Sequence, residues 1–420
     1  MNTSSVTSCD VVVVGAGIAG LTVALELKRR GLNVVVLDKG APGYEQSSRN
    51  WGWVRSISQD PHEIELSLDS RAQWQEWARQ ADFGYRQCGL ISLARNTEEM
   101  NNLLAWKRSV GSFADDIETL GPQAIRQHLP QSQGKWTGAL YSSHDGVAEP
   151  DRTMAFLMDL AQREQIVIEA NVAVKAIDVA GGKVQGVITE TGRIAAPQVV
   201  VATGIWSRWL CEGIGIALPQ LRVIASVMRT APVADGPEPV VASSSFSVRR
   251  RMDGGYTVAQ RNSSISYITP DTFRFLKLFF PAFLKQHRLL SVRLGAPFVE
   301  HLYLDRQFGA GKPNPFEIFR RCDPTPDRRT LLRTMARLRD DMPVFRQARI
   351  MDMWAGVIDV TPDSRPIISD VATCPGLYLS TGYSAHGFGL APGAGRLAAD
   401  IVTDTAGWRE RAKAFALSRF

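Results

Sequence analysis

Residues Val11 to Gly40 read VVVVGAGIAGLTVALELKRRGLNVVVLDKG, and the rest of the chain is organised around them. Val11 to Val14 is a continuous β-branched run, as expected of a strand buried on both faces of a parallel sheet. Gly15, Gly17 and Gly20 then form GxGxxG, with Ile18 and Ala19 between the last two glycines. Gly15 permits a tight turn, Gly17 lets backbone approach a pyrophosphate, and Gly20 lets the next helix pack closely on the strand. The helix is expected over Leu21 to Arg30, with Leu21, Ala24, Leu25 and Leu27 on its apolar side and Gly31 as its stop. Its amino end turns partial positive charge toward phosphate. A second strand, Val34 to Leu37, ends in Asp38, placed to accept hydrogen bonds from an adenosine ribose, with Lys39 following. An acid at that point disfavours a ribose phosphate, so the ligand is NAD or FAD, and spacing alone leaves both open.

The chain has 420 residues, enough for two interlocked domains, and its 45% hydrophobic and 21% charged content is that of a globular protein. Disorder, collagen and coiled coil are excluded. The net charge of +6 is local: Arg320 to Arg349 holds nine arginines against four aspartates. A basic segment of that kind, with no interleaved aromatics, argues against nucleic acid as a partner. The five cysteines are scattered, without CxxC or any metal spacing, so no metal is expected and the compartment reads as reducing. The first ten residues lack a basic start, and the most apolar later stretch, FRFLKLFFPAFL, is interrupted by Arg274, Lys277 and Pro281. The expectation is a cytoplasmic protein, at most peripheral to the inner face of the membrane.

Three further landmarks narrow the choice of ligand. Ser47 to Arg55 reads SSRNWGWVR directly after the first βαβ unit, Thr361 to Ile368 reads TPDSRPII, and Leu377 to Val402 reads LYLSTGYSAHGFGLAPGAGRLAADIV. With HDGVAEPDRTMAFLMDLAQ and VVVATGIWSRWL between them, these resemble the FAD-dependent D-amino-acid oxidase superfamily, which contains glycine oxidase, sarcosine oxidase and D-amino-acid dehydrogenases. The resemblance covers nearly the whole chain and is weakest from about Ile265 to Arg320. It implies FAD as cofactor and places Ser47, Ser48, Arg49, Asn50, Trp51 and Gly52 along its phosphates and ring. Trp51 and Trp53 either wall the ring system or pack in the core. It also implies that Val174 meets the adenine, that Thr203, Gly204 and Trp206 follow a strand running close to the FAD, and that Gly382, Tyr383, His386, Gly387, Phe388 and Gly389 face the flavin's electron-rich edge. Relatives that bind flavin covalently use a cysteine in the stretch that here reads WAGVIDVTPD, Trp354 to Asp363; none stands there, so non-covalent FAD is expected.

The implied fold class is α/β, α+β overall. A discontinuous Rossmann-like FAD-binding domain, residues 1–84, 146–207 and 353–420, is interleaved with a substrate domain, residues 85–145 and 208–352, built on a mixed or antiparallel sheet. SFSVRRRMDGGYTVAQ reads as a hairpin turning at Asp253, Gly254 and Gly255, with Arg249 to Arg251 as a solvated edge or, for one of them, a pocket residue. A helical insertion is expected at about 265–320. Within it, Phe273 to Arg288 reads as a helix interrupted at Pro281, either packed on the substrate domain or, with Lys277, Lys285 and Arg288 as basic flanks, a peripheral membrane or protein contact through 273–290.

The resemblance implies oxidation of the C–N bond of an amino acid or secondary amine, with hydride passing to flavin and the imine hydrolysing to keto acid or aldehyde, and oxygen or a quinone as acceptor. Such chemistry needs orientation and exclusion of water more than acid–base groups, and it usually uses an arginine to clamp the substrate carboxylate. Many relatives carry an arginine–proline pair before TPD; here Ile358 and Asp359 stand in those places. The clamp is then supplied elsewhere, with Arg55, Tyr256 and Arg261 as candidates, or the substrate lacks a free carboxylate. Asp359 in the pocket would favour a cationic substrate; as a turn residue or hydrogen-bonded cap it would not. His386 serves the flavin or substrate directly, or is a structural hydrogen-bonder of its loop. A flavin monooxygenase and a flavin-binding subunit without turnover are the alternative readings.

Overall fold

A computed structural model describes residues 6–286, 290–307 and 314–420. Val11–Val14 lies between Val34–Asp38 and Gln198–Val201 in a six-stranded sheet, flanked outward by Val167–Ala170 on one side and Leu377–Thr381 and Ile367–Asp370 on the other. All pairings are parallel except the last, where Ile367–Asp370 runs antiparallel to Leu377–Thr381. Alternation along the strand explains its unbroken apolar run. Val11 and Val13 pack on the helices Ile18–Arg29, Ile64–Gln80, Pro150–Arg163 and Gly387–Val402. Val12 and Val14 pack on a three-stranded antiparallel layer, Val174–Ala180, Lys183–Thr189 and Arg193–Ala195. The first helix begins at Ile18 rather than Leu21 and ends at Arg29, since the turn at Gly15 already releases the chain into helical conformation.

A second, nine-stranded sheet is mixed: mostly antiparallel, with Val240–Ala242 parallel to Leu90–Ala94 and Leu290–Arg293 parallel to Tyr256–Tyr267. The amphipathic helix Arg328–Asp341 covers it, burying Leu331, Met335 and Leu338 against Val258 and Phe345. Ser247–Arg250 and Tyr256–Tyr267 form the expected hairpin around Asp253–Gly255. The strand Ile350–Val360 pairs along its whole length with Leu221–Thr230, so residues 353–360 lie in this sheet and not with the six-stranded one. Pro281 does not interrupt its helix, which runs Leu276–Gln286; the break falls at Phe275, after a short helix Pro270–Arg274. Pro281 stands in the second turn, where it forgoes the bond its N–H would give the Lys277 carbonyl, and the helix continues past it to Gln286. The basic flanks Lys285 and Arg288 have no described side chain.

One ion pair stitches the two sheets together. Arg249, 1% exposed and neither a solvated edge nor a pocket residue, donates to Glu149 at 2.7 and 3.2 Å and to the Trp51 carbonyl at 2.6 Å. Glu149 also accepts from the Met252 amide at 3.0 Å. Burial alone would raise the Glu149 carboxyl, but the Arg249 guanidinium outweighs that and holds it below the ordinary range. Glu149→Gln leaves a buried cation unpaired and is expected to cost about 3 to 5 kcal/mol, visible as a lowered melting temperature. Because the folded-state carboxyl is depressed, its stabilisation is present above the ordinary carboxylate value and is lost as pH falls through the folded one. Thermal scans of the native protein against Glu149→Gln should converge on acidification.

Candidate cofactor and substrate site

The carboxyl ends of the parallel strands and the inner face of the nine-stranded sheet enclose a cavity of about 880 Å³. Two helices direct their amino ends at it, Ile18–Arg29 through Gly17 and Ile18, and Gly387–Val402 through His386, Gly387 and Phe388. Neither end is capped by its own N-cap side chain or carries an acid in its first turn, and beyond the Ile18 amide, which Ser47 takes, both leave backbone donors for an external anion or carbonyl. Gly15 (φ +107°) turns beneath Ala202, and a Cβ at Gly17 would lie 3.1 Å from Ser47 Oγ, which instead accepts the Ile18 amide at 2.9 Å. Asp38 is ordered at the rim by the Ala16 and Gly40 amides, both at 2.8 Å.

The end of the cavity around Asp38 is closed by a strap, residues 314–323. Asn314 Nδ2 donates to Lys175 O, Arg320 to the carbonyls of Lys39 and Asn171 and to Glu190, and Arg49 to Cys322 O and Asp323. Phe316 and Arg320 thus face Lys39, Gly40, Val172 and Val174 across the cavity. Lys39 donates to Phe319 O and sits 3.4 Å above the Trp206 ring, whose indole N–H donates to Glu45. Burial pushes the Lys39 ammonium down to about 8.

The other end holds two cations. Arg55 and Arg261 both border the cavity, and no carboxylate is hydrogen-bonded to either among the described residues. Arg55 donates only to the Ile57 carbonyl and lies over the Trp53 ring. Burial, and next the charge of Arg261, bring its guanidinium down to about 10, while burial lowers Arg261 too. Facing them is an apolar wall from the inserted segment, with Phe273, Leu276, Phe279 and Phe280, joined by Leu221, Val223 and Ile268. Trp51 and Trp53 border the cavity in edge-to-face contact at 5.2 Å.

Among the residues singled out from the sequence, Gly15, Gly17, Ile18, Ala19, Asp38, Lys39, Ser47, Arg49, Asn50, Trp51, Val174, Thr203, Gly204, Trp206, Tyr383, His386, Gly387, Phe388 and Gly389 border this cavity with Arg55 and Arg261. Others do not. Tyr256 is buried in the second sheet's core, donating to Pro237 O at 3.1 Å and packing edge-on against Phe345 at 4.9 Å, because its strand position points away from the cavity. Ser48 donates to the Tyr44 carbonyl one turn back. Gly20 serves helix–strand packing. Gly52 (φ +73°) and Gly382 (φ +72°) are needed for backbone conformation and close approach, not for lining. Asp359 reaches the cavity edge, but its Oδ2 accepts from the Gly382 amide at 2.8 Å, Gln220 Nε2 at 2.9 Å and Thr381 Oγ1 at 3.3 Å. It is 1% exposed and burial raises its carboxyl, and through Oδ2 it caps the loop at Gly382. His386 Nδ1 lies 3.0 Å from Glu63 Oε2, and Glu63, fully buried in the turn before the helix Ile64–Gln80, had no signal in the sequence. The strap and the aromatic wall were also missed, since both depend on contacts between segments remote in the chain.

Among the described residues no cluster of side chains suits a metal ion, and no helix is long and apolar enough to cross a membrane. Residues 10–401 match the family model described as FAD dependent oxidoreductase. The chain is 26% identical to sarcosine oxidase subunit beta of an Arthrobacter species, over 95% of this chain and 88% of that one. It is 25% identical to glycine oxidase of Geobacillus kaustophilus, over 94% and 92%. In three dimensions it resembles L-amino acid deaminase from Proteus myxofaciens in complex with anthranilate, with TM-score 0.94, 28% identity and coverage of 100% and 95%. L-amino acid deaminase from Proteus vulgaris gives TM-score 0.92 at 26% identity, covering 100% and 99%. The glycine-bearing strand, the two uncapped helix ends and a match spanning nearly every residue agree: the chain is a flavoprotein of the FAD-dependent oxidoreductase family.

Proposed function

We propose that the protein oxidises the α-C–N bond of an L-amino acid with an apolar side chain, releasing an imine that water hydrolyses to a keto acid and ammonia. One observation carries this reading: two half-buried arginines, Arg55 and Arg261, border the cavity without a hydrogen-bonded carboxylate among the described residues. A partly desolvated cation without a hydrogen-bonded carboxylate is costly, and a substrate carboxylate gripped by guanidinium donors removes that cost. FAD, held without a covalent bond along the glycine turn, strap and second helix end, supplies the acceptor for the α-hydrogen as hydride. No cysteine borders the cavity among the described residues, in keeping with that mode of binding. The aromatic wall takes the side chain and excludes water while the arginines orient the α-carbon. The likeness to L-amino acid deaminases supports an amino acid over a secondary amine. Anthranilate, bound in one of them, carries the carboxylate and aromatic ring that the arginines and the wall would receive.

The acceptor that reoxidises the cofactor is oxygen or a quinone. Leu278 and Leu284, outside the cavity, are 36% and 56% exposed on the inserted helices, which supports peripheral contact of this face with a membrane and so a quinone. The test is anaerobic bleaching of the flavin band with D- and L-amino acids, N-alkyl glycines, opines and polyamines. Bleaching by apolar L-amino acids is expected, and admission of air or of a soluble quinone then identifies the acceptor. Bleaching only by polyamines or other carboxylate-free amines would sink the reading.

A further inference from the structure

Hydride can leave only a neutral amine, yet an amino acid arrives as an ammonium, so its proton needs somewhere to go. The cavity offers one acceptor with suitable geometry. His386 borders it at the amino end of the helix Gly387–Val402, with its Nδ1 3.0 and 3.3 Å from the two carboxylate oxygens of Glu63. Among the described residues no hydrogen-bond partner is found for His386 Nε2, and the side chain keeps 19% of its exposure. Glu63 is 0% exposed and touches no other cation, so its charge is directed at the imidazole. The mount is rigid. Ser70 donates to Leu390 O and accepts the Gly393 amide, both at 2.9 Å, and Trp74 Nε1 donates to Gly389 O at 3.1 Å, so the helices bearing Glu63 and His386 are bolted together. Arg55 lies within electrostatic reach of Glu63, so the carboxylate clamp and this pair share one neighbourhood.

We propose that His386 Nε2 takes the ammonium proton of the bound amino acid, and that Glu63 is the positioning residue that holds the ring with Nδ1–H toward itself and Nε2 toward the substrate. This rests on the amino-acid reading given above. The substrate N–H bond breaks, its electron pair stays on the amine nitrogen, and the proton forms the Nε2–H bond of an imidazolium whose counter-ion is Glu63. The proton passes to water when product leaves. Among the described residues the other titratable groups around the pair are Arg55 after Trp53, Asp145 from the neighbouring turn, Tyr383 in the preceding loop, Arg261 across the cavity and Asp359, whose Oδ2 holds the Gly382 amide and whose Oδ1 is buried. Asp145 is occupied by Ser56 and the Ile57 amide, and Tyr383 by Ser380, which leaves His386 as the open proton acceptor.

The test uses the flavin-loaded protein labelled with 15N-histidine and two ligands, α-methylphenylalanine, which has no α-hydrogen to lose, and 3-phenylpropanoate, which has no amine. The chain has six histidines, and His386→Gln assigns the signal. Flavin absorbance reports binding of either ligand. The expected result is that Nε2 moves to the protonated range with the amino acid and not with the carboxylate, and that Glu63→Gln abolishes the move while binding persists. In turnover, His386→Gln should lose about 100-fold in kcat/KM near neutral pH and regain much of it at high pH, where free amine is abundant. An Nε2 signal that is the same with both ligands, or a move that survives Glu63→Gln, overturns the proposal while leaving the amino-acid reading intact. Failure of both ligands to perturb the flavin overturns that reading, and the proposal with it.

Discussion

Arg261→Met should lower kcat/KM for the preferred amino acid by about 100-fold and raise the melting temperature at the same time. Each charge-assisted hydrogen bond to a carboxylate contributes about 1.5 to 3 kcal/mol, and about 3 kcal/mol corresponds to two powers of ten. The opposite sign in stability follows because Arg261 has no anion to abandon. Its removal relieves burial of its own charge and its repulsion of Arg55. Steady-state kinetics with apolar L-amino acids and a thermal scan of the same preparation test both halves. Unchanged kinetics would remove Arg261 from the clamp, and a lowered melting temperature would mean it has a structural partner. Arg55→Lys should lose nearly as much activity, since a point charge cannot grip two carboxylate oxygens at once. With the Arg55 guanidinium brought down to about 10, affinity for a simple carboxylate should fall as pH rises through that value.

Gly20→Ala should abolish flavin binding and cost about 3 kcal/mol or more of stability. A Cβ there would overlap the Gly15 carbonyl oxygen and come within 3.4 Å of Ala202 Cβ. No flexible side chain can give way; the strand, the turn and the helix would have to part. Gly31→Ala is the control, because it has positive φ (+86°) and nothing within 4 Å of its Cβ. Strain without collision should cost about 1 kcal/mol and leave the flavin in place. Both variants are read by flavin content after gel filtration and by urea unfolding. A yellow, stable Gly20→Ala protein would refute the close-packing role.

The contrast between these two glycines shows what was legible in the chain. The first βαβ unit and the loop before Gly387–Val402 could be read because their geometry is local: a strand, a glycine turn and a helix end specify one another within a few residues. Arg55 and Arg261, named with Tyr256 as candidates because no arginine precedes Thr361, both border the cavity. The places of Tyr256 and Glu63 were not legible, because the face a side chain takes depends on partners far away, Phe345 for Tyr256 and His386 for Glu63; of the two readings open for Asp359, its bonds to Gln220 and the Gly382 amide select the cap. Pro281 misled for a related reason, since a proline's cost depends on how far into the helix it falls, and that start was set by the break at Phe275. The aromatics of the insertion announced burial or contact, but only the folded chain brings them to the mouth of the cavity.

The strap and the sheet order also set a timetable for synthesis. Val11–Val14 leaves the ribosome early, but one of its two neighbours is Gln198–Val201, which in turn awaits Leu377–Thr381. Residues 314–323, which shut the dinucleotide end, emerge later than all but the final segment. The first motif made is therefore among the last to be completed, and a nascent chain has no closed crib in which to keep its cofactor. Flavin capture belongs after residues 314–323 and Leu377–Thr381 have emerged, so a shortage of flavin in the cell should leave this protein open, with its apolar cavity exposed to whatever else binds such surfaces.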